Sequence, residues 1–166
     1  MEFDLTRLGE MHPLLAKSTA QEYAYRSAIG LGRHGHELGV RLKLNWTDRS
    51  GPSTLHWRVA RAGAAAQLDF HRVTEDTAEA VALAVVHVTK GWVVRRRLQR
   101  GEFADWLLID RGKSLVAMEV SGVDTTDAAG RRMREKVEQA KRCEIPGKKA
   151  ACVVELQPPR SRMRVI

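Results

Sequence analysis

The chain has 166 residues, 43% apolar and 29% charged, which suits one ordinary domain, with or without an appended subregion, and excludes collagen-like, coiled-coil and disordered classes. Its 28 lysines and arginines against 20 acids leave a net charge of +8 and a pI near 10.0, a balance that favours a polyanionic partner. The apolar runs are too short for a membrane span, no signal peptide is legible, and Cys143 and Cys152 alone make neither a disulfide framework nor a multi-cysteine zinc site, so a reducing cytoplasm is the expected compartment.

In chain order, a helix is expected at 18–29. Alternation of Leu38, Val40, Leu42 and Leu44 with polar neighbours, turn chemistry at 48–52 and renewed alternation at 54–60 predict a β-hairpin, and 67–73 would add a third strand to a small antiparallel layer. Thr74 with Glu75 and Asp76 reads as a helix N-cap and acidic first turn. Ala78, Val81, Ala82, Val85 and Val88 then recur at helical spacing until Gly91, giving a helix over 75–90.

Three consecutive strands are expected at 92–98, 103–109 and 115–121, then a helix from the caps at 124–127 to about residue 143, and a strand at 151–156. The order is αβββαβ. The expected division is a helix and antiparallel strands over 1–73, an α/β core with a mixed central sheet over 74–157, and a basic tail over 158–166.

On a strand alternate side chains share a face, so Glu119 and Ser121 project together, and Asp105 on the neighbouring strand would approach Glu119. Two adjacent carboxylates repel and are well accommodated by a divalent cation with oxygen ligands, Mg2+ or Mn2+, completed by waters and a substrate phosphate. Such a metal suits phosphodiester hydrolysis. A segment with five cations and no acid, Lys90 to Arg100, leads into this strand. Arg95, Arg96, Arg97 and Arg100 there, with Arg131 and Arg132 on the later helix, are candidate contacts to nucleic-acid phosphate, DNA first among the polyanions.

Gly101-Glu-Phe-Ala-Asp105-Trp-Leu-Leu, Ala117-Met-Glu119-Val-Ser121 and the basic helix with Lys136-Val-Glu-Gln139 together resemble the PD-(D/E)XK nuclease superfamily over 74–157, and the αβββαβ order is that superfamily's restriction-endonuclease-like core. The resemblance implies a metal-dependent endonuclease with Asp105 and Glu119 as metal ligands, Glu79 as a further acidic ligand from the first core helix, and Gln139 in the site. Ser121 stands where the pattern has lysine. Either Lys136, one turn before Gln139, replaces it, or the site is inactive and the fold serves as a nucleic-acid-binding or assembly subunit. Cutting both strands of a duplex would call for a homodimer or a partner protein.

Each residue also has an ordinary role open to it. Asp105 would begin a strand, Glu119 would pair with an arginine, and Glu79, Lys136 and Gln139 would lie on solvated helix faces. The six histidines form no zinc pattern, and no phosphate loop, nucleophile elbow or dinucleotide fingerprint is present.

Overall fold

The structure is a computed structural model that describes residues 1–46, 52–60 and 68–166. Strands β1 (Glu2–Asp4), β2 (Val40–Arg41) and β4 (Thr54–His56) form a small sheet in the order β1-β4-β2. A six-stranded sheet is made by β3 (Lys43–Trp46), β5 (Val93–Arg97), β6 (Trp106–Ile109), β7 (Leu115–Thr125), β8 (Lys148–Gln157) and β9 (Pro159–Val165), in the order β3-β9-β8-β7-β6-β5. Strands β5, β6 and β7 form an antiparallel meander, and the crossover helix α4 (Ala129–Lys141) makes β8 parallel to β7. The chain is thus a mixed α/β protein, completed by α1 (Leu8–Met11), α2 (Lys17–Gly32) and α3 (Phe70–Lys90).

Helix α3 organises the core. Its apolar stripe widens until Ala80 to Val86 are all fully buried, because one side packs on Met118, Val120, Cys152 and Val154 of the sheet and the other on α2. A helix apolar all round must be covered all round. The α2–α3 contact is close at Gly30, where a Cβ would run into the Thr77 side chain. On the opposite face of the sheet, α4 buries Ala129 and Met133 against Val123, Ala151 and Val153.

The helix starts earlier than its sequence reading. Asp69 caps it by accepting a 2.9 Å hydrogen bond from the His71 amide, while Thr74, the expected cap, turns its hydroxyl back to the Phe70 carbonyl at 3.0 Å. Phe70 to Val73 are therefore helical, not a third strand, and Gln67 lies outside the described residues. The C-terminal end is as read: Gly91 adopts φ 69° and donates to the His87 carbonyl at 2.8 Å, a left-handed cap that favours glycine.

The hairpin is present only as Val40 opposite Leu55 and Arg41 opposite Thr54. Lys43 to Trp46 leave it and pair in parallel with β9, burying Leu44 and Trp46, so the N-terminal strands are not one antiparallel layer. The expected turn residues 48–51 lie outside the described residues. Segment 158–166, read as a basic tail, is mostly β9: Pro159, Ser161 and Met163 are buried, and Arg160 and Arg162 pair with the buried Glu155. Cys143 and Cys152 are free and buried, and no described helix is long and apolar enough to cross a membrane.

One buried titratable group ties the N-terminal region to the core. His12 is fully buried, with Nδ1 accepting from the Val94 amide at 3.2 Å and Nε2 donating to the Leu83 carbonyl at 3.1 Å, so the ring is neutral. Burial first, then the facing His87 ring, pushes its pKa from 6.5 down to about 4. Below pH 6.5 the unfolded chain takes up a proton that the folded chain refuses, so this contribution is full above pH 6.5 and is lost as pH falls towards 4. Urea titrations should show wild type losing about 2 kcal/mol more between pH 7 and pH 5 than His12→Gln does; parallel slopes would contradict the neutral, buried histidine.

Candidate functional site

Strand β7 outruns its neighbour. The first β6 residue, Trp106, pairs with Met118, so on that side β7 has no strand beside it from Glu119 onward. Unpaired edge amides need acceptors. The Asp105 carboxylate takes the Val120 amide at 2.8 Å, and the Glu75 carboxylate, reaching across from α3, takes the Gly122 amide at 3.1 Å and the Ser121 hydroxyl at 3.3 Å. The approach of α3 is possible because residue 122 is glycine; a Cβ there would meet the Thr74 backbone oxygen at 2.5 Å.

Glu119, one residue before the Val120 amide that Asp105 takes, is 1% exposed. Its Oε1 accepts from the Lys136 ammonium at 2.5 Å, and Lys136 also donates to Gln139 Oε1 at 3.3 Å. Its Oε2 is buried without a hydrogen-bond donor among the described residues. Burial is the largest cause that raises the Glu119 pKa to about 7, and the Asp105 charge is the second; Lys136 opposes both. The nearby Asp105 charge opposes ionisation of Glu119, a repulsion that a proton or a cation relieves.

The structure thus brings Asp105, Glu119, Lys136 and Gln139 together. Glu79 is differently placed. Its Oε2 accepts from the Tyr23 hydroxyl, from Trp106 Nε1 at 2.9 Å and from Arg97 at 3.0 Å, and its Oε1 accepts from Arg97 at 2.9 Å. Burial raises its pKa and Arg97 is the main opposing influence. Its oxygens are saturated, whereas Glu75, one helical turn earlier, carries the carboxylate at the β7 edge. A cavity of about 260 Å³ runs along this part of α3, lined among others by Glu75, Glu79, Arg72 and Arg97, and touches the edge through Glu75.

The candidate phosphate contacts fall into two groups. Arg97 is committed to Glu79, Arg96 forms a two-pronged pair with Glu102 at 2.9 and 2.6 Å, and Arg131 and Arg132 face Glu135 at 3.7 and 3.1 Å. Arg95 and Arg100 are exposed with no ion pair among the described residues.

A hard divalent cation accepts one or two carboxylates and completes its shell with waters and phosphate. Asp105 and the donorless Glu119 Oε2 fit that requirement with oxygen ligands. Among the described residues no group of three or more His, Cys, Asp or Glu stands close enough to hold a metal, so a protein-only cage is not formed.

Comparison with family models, with curated protein sequences and with solved structures gives no significant match.

Removing Lys136 would leave Glu119 buried and unpaired. Lys136→Met should cost about 3 kcal/mol at pH 8, measured by chemical denaturation. Because a raised carboxyl pKa favours the folded state at low pH and loses that advantage as pH rises from 4.5 through 7, the cost should shrink at pH 6, where Glu119 accepts a proton instead. Adding Glu119→Gln should recover much of the loss at pH 8; no recovery would mean the pair is not the source.

Proposed function

We propose that the chain is a metal-dependent nuclease of restriction-endonuclease-like αβββαβ architecture, acting on DNA. The observation that carries the reading is Glu119: a carboxylate buried at an open strand edge, beside Asp105, with one oxygen on Lys136 and the other without a donor. Buried carboxylates are costly unless fully paired, so a half-satisfied one suits a group that acquires its last partner on binding.

Asp105 and Glu119 would hold Mg2+ or Mn2+, which when bound lowers the pKa of water and stabilises charge on the phosphate. Lys136 supplies the positive charge that Ser121 cannot, from α4 instead of β7, and Gln139 fixes the direction of its ammonium group. There Lys136 is placed to hold a water or a phosphate oxygen against Glu119 and to offset charge as the phosphodiester breaks. Ser121 and the Gly122 amide fix Glu75 at the same edge, where it, not Glu79, is the helix acid available to a metal-bound water. Arg95 and Arg100 provide sequence-independent phosphate contacts.

A second reading, a nuclease fold retained only for binding nucleic acid or a partner protein, is favoured by the Lys136–Glu119 contact itself, because the ammonium already gives the Glu119 carboxylate a positive partner without a metal. Cleavage of supercoiled and single-stranded DNA with Mg2+ or Mn2+ separates the two. The nuclease should cut with metal and not with chelator, and Asp105→Asn or Glu119→Gln should lower the rate at least about 100-fold while unfolding at similar denaturant concentrations. A wild type that binds DNA and cuts nothing with either metal leaves the binding subunit as the function.

A further inference from the structure

Phe103 lies two residues before Asp105 and takes no part in the core: it is 44% exposed and its φ is 56°. A bulky side chain in the left-handed region is a genuine outlier, and such strain persists only where the surroundings over-determine it. Here they do. The Glu102 amide closes a turn on the Gln99 carbonyl at 3.0 Å, and the Glu102 carboxylate accepts from the Gln99 amide at 2.5 Å and from both prongs of Arg96. On the other side Ala104 is buried beside Leu98, Leu107 and Cys143, and Asp105 is fixed to Val120. Between these anchors the ring is held out into solvent.

Its surroundings say what the ring would meet. Over 95–105 Phe103 is the only exposed large apolar side chain, so the segment is not a hydrophobic docking patch, which would need apolar neighbours. Instead it follows the arginine-rich stretch 95–100, in which Arg96 reaches the adjacent Glu102 and Arg95 and Arg100 have no ion pair among the described residues. A lone aromatic ring among cations is the arrangement that binds unpaired nucleotides, the ring against a base and the cations against phosphates.

We propose that Phe103 is a stacking platform for an unpaired base of a nucleic-acid strand whose phosphates lie on Arg95 and Arg100. The substrate presented to the Asp105–Glu119 edge then carries a single-stranded or flipped nucleotide. The inference rests on the nucleic-acid part of the proposed function and needs no metal.

The test is metal-free binding, in chelator, of a thymidine oligonucleotide of about twelve nucleotides and of an abasic strand of equal length and charge. Wild type should prefer the base-bearing strand about tenfold. Phe103→Gly, which suits the left-handed backbone and so keeps the fold, should bind both strands alike with an unchanged salt slope, and Phe103→Tyr should restore the preference. Equal binding of the two strands by wild type, retained preference in Phe103→Gly, or no binding of either strand would each overturn the proposal. Base preference without any metal-dependent cleavage would instead remove the nuclease reading and leave the stacking site standing.

Discussion

The open edge of β7 is the constraint around which the candidate site is built. Each amide that β6 leaves unpaired must find an acceptor, and at Val120 and Gly122 the acceptors are carboxylates. Hydrogen bonding alone therefore holds Asp105 beside Glu119 and Glu75 further along the same edge, at Ser121 and Gly122. Their charges then create the next requirement, since negative groups at a poorly solvated edge raise one another's cost of ionisation until a proton or a cation intervenes. The Lys136 ammonium is the cation the fold itself supplies.

Three buried glutamates show how differently the chain settles the same problem. Glu79 receives a hydroxyl, an indole and both prongs of a guanidinium. Glu155, fully buried on β8, has Arg162 at 2.5 Å and Arg160 at 3.8 Å. Both have arginine, whose planar fork can satisfy two oxygens at once, as it does at Glu79, whereas the Glu155 Oε2 has only the more distant Arg160 charge. Glu119 alone has a lysine, a point charge that reaches one oxygen and leaves the other without a donor. Glu119 and Glu155 each keep one oxygen without a hydrogen-bond donor among the described residues, and what sets Glu119 apart is the Asp105 carboxylate beside it and a lysine where the others have arginine.

The pattern-based features survive best. Periodicity placed the αβββαβ succession, the αL cap at Gly91 and the juxtaposition of Asp105 with Glu119, because these depend on local spacing and on neighbouring strands. The reading of the C-terminal segment gave too much weight to charge. Arg160-Ser-Arg-Met-Arg164 reads as a tail by composition, yet its period of two is that of a strand with Ser161 and Met163 inward, and the arginines' partner, Glu155, is invisible until β8 and β9 pair. Choosing between Glu75 and Glu79 needed the depth at which α3 crosses β7, a tertiary quantity fixed by Gly122 and Thr74 that no helical periodicity contains. Phe103 opens the strand expected at 103–109, whereas the strand begins at Trp106; the Arg96 that clamps Glu102 comes from the preceding strand.

Net charge also changes meaning once partners are known. A surplus of +8 suggests a uniformly basic protein, but Arg26, Arg33, Arg97, Arg160 and Arg162 are all spent on carboxylates that are buried or held between elements. These arginines hold elements together: Arg33 joins α2 to Asp124 at the end of β7, and Arg26 joins α2 to Asp76 on α3. The cations without an ion pair among the described residues form a smaller set, and two of them, Arg95 and Arg100, belong to the segment that leads into Asp105.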